Sequence, residues 1–173
     1  MNNIVFIGFM GVGKSTIAYR LSKMKNMEII DTDKEIENRT KMTVSEIFET
    51  HGEEWFRDQE TNLLKELKDL DNTIISCGGG IVLRKENRLL LKEVGCVILL
   101  SANVYTIHKR VNMNDRRPLL KEKKSKEYIA KVLKERKKFY DESADIKVTI
   151  NHKTVPMICN EVIRKLKEKE INC

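Results

Sequence analysis

The stretch that most constrains this chain is residues 4–16, IVFIGFMGVGKST. Four apolar residues, Ile4 to Ile7, have the character of a buried strand. They run into a glycine-rich turn that opens directly into a helical pattern from Lys14 onward. Gly8, Gly13, Lys14 and Ser15 satisfy G-x-x-x-x-G-K-[ST], the phosphate-loop pattern, in the strand–turn–helix context that gives it meaning. A phosphate chain needs backbone N–H groups at close range, and Gly8, Gly11 and Gly13 keep side chains out of the way. The helix start adds further N–H groups and the positive end of its dipole. Gly11, Val12, Gly13, Lys14, Ser15 and Thr16 are therefore the predicted site for a nucleoside triphosphate. Lys14 would reach the outer phosphates, and the Ser15 hydroxyl would ligate Mg2+.

The rest of the chain alternates strand and helix. An apolar run at 27–30 leads into Asp31-Thr32-Asp33, which places both acids at the carboxyl end of a second strand. Ligands of open α/β sheets collect at such ends. If the extended geometry persisted, Asp31 and Asp33 would point the same way; the alternative is a loop in which Asp33 caps the next helix. A short helix at 34–39 follows. Thr43 and Glu46 form a capping-box pattern, and Gly52 breaks the periodicity. A longer amphipathic helix covers 53–70, with Phe56, Leu63, Leu64, Leu67 and Leu70 on its apolar side. Taken by itself, Arg57 in this helix has the character of a surface ion-pair residue. A third strand at 72–77 enters Gly78-Gly79-Gly80, three glycines whose entropic cost points to close backbone approach by a ligand or another segment. Helices at 84–93, 104–110, 125–141 and 154–170 and strands at 96–100 and 145–150 complete the pattern. Five strands alternating with helices predict an α/β fold with a parallel sheet covered on both faces. Residues 111–124 lack apolar periodicity and are basic, a composition that suits a lid or an ordinary surface loop alike.

At 173 residues, with 40% hydrophobic and 34% charged, the chain suits one domain. No apolar run has membrane-spanning length, and the N-terminus enters a strand at once, so the expectation is a cytoplasmic protein with no membrane partner. The four cysteines show no C-x-x-C spacing, which predicts reduced thiols rather than disulfides or zinc. The net charge is +7, and residues 108–138 hold 13 Lys/Arg against 4 Asp/Glu. That basic segment lacks interleaved aromatics apart from Tyr128, so polyphosphate and an anionic second substrate explain it at least as well as nucleic acid. No N-K-x-D guanine-reading motif is present, which argues against a Ras-like GTPase and for a small-molecule kinase.

The joint pattern GFMGVGKST (8–16), DTD (31–33), FRDQE (56–60), CGGG (77–80), RRPLL (116–120) and ERKKFYDESAD (135–145) resembles that of the shikimate kinases, in order and spacing over essentially the whole chain. The resemblance implies the P-loop fold of the nucleoside monophosphate kinases, with an acceptor-binding segment at about 32–61 and a lid at about 111–124. It implies ATP and Mg2+ as cofactors, and shikimate as the molecule phosphorylated, with no nucleic-acid partner. By the same resemblance Asp33, Arg57, Gly79, Gly80 and Arg136 hold the acceptor, and Lys14, Asp33 and Arg117 act in catalysis. Ser15 and Asp31 serve the metal, and Arg110 packs on adenine. The lid segment lacks glycines, with Asn112, Asn114 and Asp115 as its turn formers. With no large uncovered apolar stripe evident, a monomer is the expected state.

Overall fold

Strand β1 (Ile4–Ile7) is buried at every position, and its side chains divide between two apolar clusters. Ile4 and Phe6 belong to one cluster and Val5 and Ile7 to the other, so the strand must lie in the middle of a sheet covered on both faces. The computed structural model of the protein, which describes residues 3–113 and 125–169, has this arrangement. The strands β2 (Glu28–Asp31), β3 (Thr73–Ser76), β4 (Cys96–Ser101) and β5 (Ile146–Thr149) join β1 in the order β2-β3-β1-β4-β5. Every neighbouring pair is parallel. The two halves of the sheet diverge from β1, and the crevice above that switch point is where such sheets place ligands.

One face is covered by α1 (Lys14–Lys25), α6 (Val104–Met113), α8 (Val155–Glu168) and the start of α7 (Lys126–Ser143), through Ile17, Leu21, Ile107, Ile129, Ile158 and Val162. The other carries α2 (Thr32–Thr40), α3 (Val44–Thr50), α4 (Gly52–Leu67) and α5 (Lys85–Val94), through Ile36, Ile47, Leu64 and Leu91. Tyr140, late in α7, packs into this second cluster, so α7 bridges the two faces. Among the described residues no helix is long and apolar enough to cross a membrane. Cys77, Cys96 and Cys159 are buried.

Local chemistry sets most of the boundaries. The Thr43–Glu46 capping box forms as its spacing requires, with Thr43 N–H donating to Glu46 Oε2 at 2.7 Å. Two expectations need correcting. Extended geometry ends at Asp31, which becomes the N-cap of α2 and accepts from Lys34 N–H at 3.4 Å. Asp33 therefore lies in the first helical turn, neither as a strand residue nor as the cap. Helix α6 continues to Met113, so the opening of the predicted lid is helical; residues 114–124, including Arg116 and Arg117, lie outside the described residues.

Asn3 fastens the end of the sheet away from the crevice. Its Nδ2 donates to Leu70 O (2.7 Å) and Val94 O (3.0 Å), its Oδ1 accepts from Thr73 N–H (3.0 Å), and the residue is fully buried. Truncation would orphan these backbone groups in the interior. Asn3→Ala is expected to lower the unfolding free energy by about 2–4 kcal/mol, read from the urea midpoint at unchanged slope. A loss below about 0.5 kcal/mol would show that solvent satisfies these groups.

Candidate active site

The phosphate loop joins β1 to α1. Gly13 is the N-cap of α1 in the left-handed region (φ 89°), and no side chain caps that helix. By contrast, α2, α3, α7 and α8 each have a side-chain cap, from Asp31, Thr43, Ser125 and Thr154. The first turn of α1 contains no acid either, so its N–H groups and positive dipole end are left to an anion. Lys14 Nζ donates to Gly8 O (2.8 Å) and Phe9 O (3.0 Å), folding back over the loop it belongs to. Burial pulls its pKa from the usual lysine value down to about 8, against the opposing pull of Asp33, Cys77 and Asp31. The Ser15 hydroxyl donates to Asp31 Oδ2 at 2.6 Å and lies 3.2 Å from Ser76 Oγ. Asp31 and Ser76 are register partners at the ends of β2 and β3, so the parallel ladder itself brings these oxygens together. Behind the loop, Arg110 donates to Val12 O at 3.0 Å.

The second half of the site is built on Gly78-Gly79-Gly80. The N–H of Gly78 donates to Thr32 Oγ1 at 3.0 Å, which seats the start of α2 on this turn. A Cβ on Gly78 would overlap the Asp33 carboxylate, and a Cβ on Gly80 would overlap the Arg57 guanidinium. The missing side chains are the space those two groups occupy. The carbonyl of Gly79 accepts from the Tyr140 hydroxyl (2.6 Å) and from Arg136 Nη1 (3.3 Å), which brings α7 to the same turn. One acid and two guanidinium groups thus face a common floor, and Lys14 feels Asp33 and Asp31 across it.

Arg57 is 7% exposed, not the surface residue that its charge suggested. Position 57 lies one heptad before Leu64 and so shares its buried face. Its Nη1 pairs with Glu60 Oε2 and its Nη2 with Glu53 Oε1, each at 2.7 Å. Glu60 is wholly buried; burial raises its pKa to about 7, Arg57 opposes the shift, and Asp33 adds to it. Arg57 Nε and Glu60 Oε1 have no hydrogen-bond partner among the described residues. A buried polar atom left open beside a crevice is what a polar ligand would satisfy.

Comparison with known proteins assigns the architecture. The profile of the family described as "Shikimate kinase" matches residues 10–167. The chain belongs to the shikimate kinase family. The shikimate kinase of Pelotomaculum thermopropionicum is 43% identical over 168 residues, 97% of each chain. That of Caldicellulosiruptor bescii is 39% identical over 163 residues, 94% of each. The structure of the Acinetobacter baumannii shikimate kinase in complex with shikimate superposes with a TM-score of 0.90 at 31% identity, covering 99% of this chain and 96% of that one.

Of the residues expected from the sequence to serve a shikimate kinase, Lys14, Ser15 and Asp31 come together at the phosphate loop. Asp33, Arg57, Gly79, Gly80 and Arg136 come together at the glycine turn. Gly11, Val12, Gly13 and Thr16 form the loop and helix start, and Arg110 touches that loop. Arg117 lies outside the described residues. Sequence reasoning gave no role to Glu60 and Tyr140, although both lie in the matched stretches 56–60 and 135–145, and none to Glu53 or Ser76. Glu60 was detectable: it falls on the apolar stripe of α4 between Phe56 and Leu63, three residues after an arginine.

Between pH 4.5 and 7 folded Glu60 keeps a proton that the unfolded chain has released. Its contribution to stability is therefore full in acid and disappears as pH rises through about 7. Glu60→Gln removes that proton equilibrium. The stability of the wild type relative to this variant should fall by roughly 2–3 kcal/mol from pH 5 to pH 8 in urea titrations. An unchanging difference would mean an ordinary carboxyl at this position.

Proposed function

We propose that this chain transfers the γ-phosphoryl group of ATP to the 3-hydroxyl of shikimate, giving shikimate 3-phosphate and ADP, a step towards chorismate and the aromatic amino acids. The observation that carries this reading is the convergence of Asp33, Arg57 and Arg136 on the glycine turn, beside Lys14 of the phosphate loop. Shikimate carries one carboxylate and three hydroxyls. Planar guanidinium forks suit the carboxylate, and a carboxylate such as Asp33 suits hydroxyls. Glu60 and Glu53 orient the Arg57 fork before any ligand arrives. The backbone N–H groups of Gly79 and Gly80 face the same molecule.

The uncapped α1 N-terminus, the loop amides of residues 11–16 and Lys14 fit a triphosphate. Ser15 and Asp31 are hard oxygen donors already in contact, suited to Mg2+, which keeps waters and phosphate oxygens as its remaining ligands. Ser15 would bind the ion directly and Asp31 through water. When bound, Mg2+ neutralises phosphate charge. Arg110 packs on adenine, and Arg117 brings a further positive charge to the transferring group from the lid. Asp33 positions the attacking hydroxyl and takes its proton, with positioning the larger share because a loose transition state needs little base assistance. The chain works as one domain, with acceptor segment 32–61 and lid 111–124, and as a cytoplasmic monomer.

The test is an ADP-release assay with ATP, Mg2+ and shikimate, run against gluconate, AMP and CMP as competing acceptors. Turnover with shikimate and not with the others is expected; preference for another acceptor overturns the reading. Arg57→Ala should raise the shikimate KM by roughly 10²-fold, and Asp33→Asn should lower kcat by ~10²-fold or more. Activity surviving both changes would mean that the acceptor lies elsewhere. Because free Lys14 loses its proton near pH 8, kcat/KM for ATP should fall on the alkaline side of about 8. A flat profile to pH 9.5 would mean that Lys14 stays charged.

A further inference from the structure

The Tyr140 hydroxyl has no part in the functional reading above, yet it makes the shortest hydrogen bond to the glycine turn. It is 4% exposed and donates to Gly79 O at 2.6 Å, while Arg136, one helical turn earlier, reaches the same oxygen at 3.3 Å. Two donors, one neutral and one charged, therefore share one carbonyl. The Gly79–Gly80 peptide bond is trans, so a Gly79 carbonyl held towards α7 aims the Gly80 N–H the opposite way. The turn has no side chains of its own to resist rotation about its backbone bonds.

We infer that Tyr140 is a positioning residue of the acceptor site: its hydroxyl occupies the Gly79 carbonyl, fixing the Gly79–Gly80 peptide and sparing the Arg136 guanidinium for the carboxylate of the acceptor. This rests on the proposed acceptor site. Without the hydroxyl, the best remaining donor for Gly79 O is Arg136, a charged group that would close its 3.3 Å contact and be drawn from the ligand. The peptide would also gain freedom. Both changes weaken the acceptor half of the site and leave the phosphate loop alone.

Tyr140→Phe keeps the buried ring and deletes only the oxygen. A matched control is Ser143→Ala, on the same helix, which removes a buried hydroxyl that donates to Phe139 O at 2.7 Å and lies within α7. Steady-state kinetics with ATP, Mg2+ and shikimate should show the shikimate KM of Tyr140→Phe raised roughly 5- to 10-fold, with kcat and the ATP KM within about twofold of wild type. Ser143→Ala should keep all three within about twofold. A shikimate titration without ATP, followed by the fluorescence of Trp55, two residues before Arg57, should show the same loss of affinity. An unchanged shikimate KM and Kd in Tyr140→Phe overturns the inference, as does an equal rise in both substrates' KM values or in both variants. Wild-type protein inactive with shikimate would instead defeat the proposed function.

Discussion

Four side chains from three helices converge on one glycine turn, two of them in space that a Cβ would take. The Asp33 carboxylate lies where a side chain on Gly78 would project, the Arg57 guanidinium lies where one on Gly80 would, and Arg136 with Tyr140 meets the carbonyl between them. The turn follows β3, next to the central strand, so it sits at the switch point of the sheet. Helices α2, α4 and α7 are far apart in sequence, and the close approach allowed by three glycines is what lets their polar groups meet. Any residue larger than glycine at 78 or 80 would have to push out the group that gives the site its chemistry.

The site holds more charge than a protein interior tolerates without arrangement. Burying a guanidinium is costly unless its donors are used, and Arg57 uses two of them on Glu60 and Glu53. Glu60 and Lys14 bear the cost of their own burial, which raises the Glu60 pKa to about 7 against the pull of Arg57 and lowers that of Lys14 to about 8. Both shifts have burial as their largest cause, and both run towards neutrality. In the proposed function, incoming phosphate and carboxylate groups would supply negative charge to Lys14 and the two guanidinium groups, so binding would also relieve the electrostatics of the site. The uncapped N-terminus of α1 belongs to this economy: a helix start with no capping side chain and no acid has its unsatisfied N–H groups reserved for an anion.

The fold was largely legible. Periodicity found all five strands and the helices between them, and capping chemistry placed a helix start at Thr43. One misreading fell where a residue serves two elements. Asp31 ends β2 and also caps α2, so alternation along a strand was the wrong guide to Asp33. Arg57 was misplaced because its charge outweighed its phase, although the helical period put it on the face of Leu64.

What the sequence determined by itself was local and periodic: the strand–glycine–helix start, the parallel sheet implied by alternating elements, the caps, and the set of residues whose pattern marks the shikimate kinase family. These depend on neighbours within a turn or a strand, where spacing alone dictates geometry. Which hydroxyl holds the Gly79 carbonyl, and how Ser15 comes to meet Asp31, were decided only by tertiary structure. Tyr140 and Gly79 stand 61 residues apart, and no periodicity relates them. Their contact exists because a parallel sheet carries β3 to its place beside β1 and α7 crosses both faces of the core, bringing a side-chain donor to a backbone acceptor that has no side chain in the way.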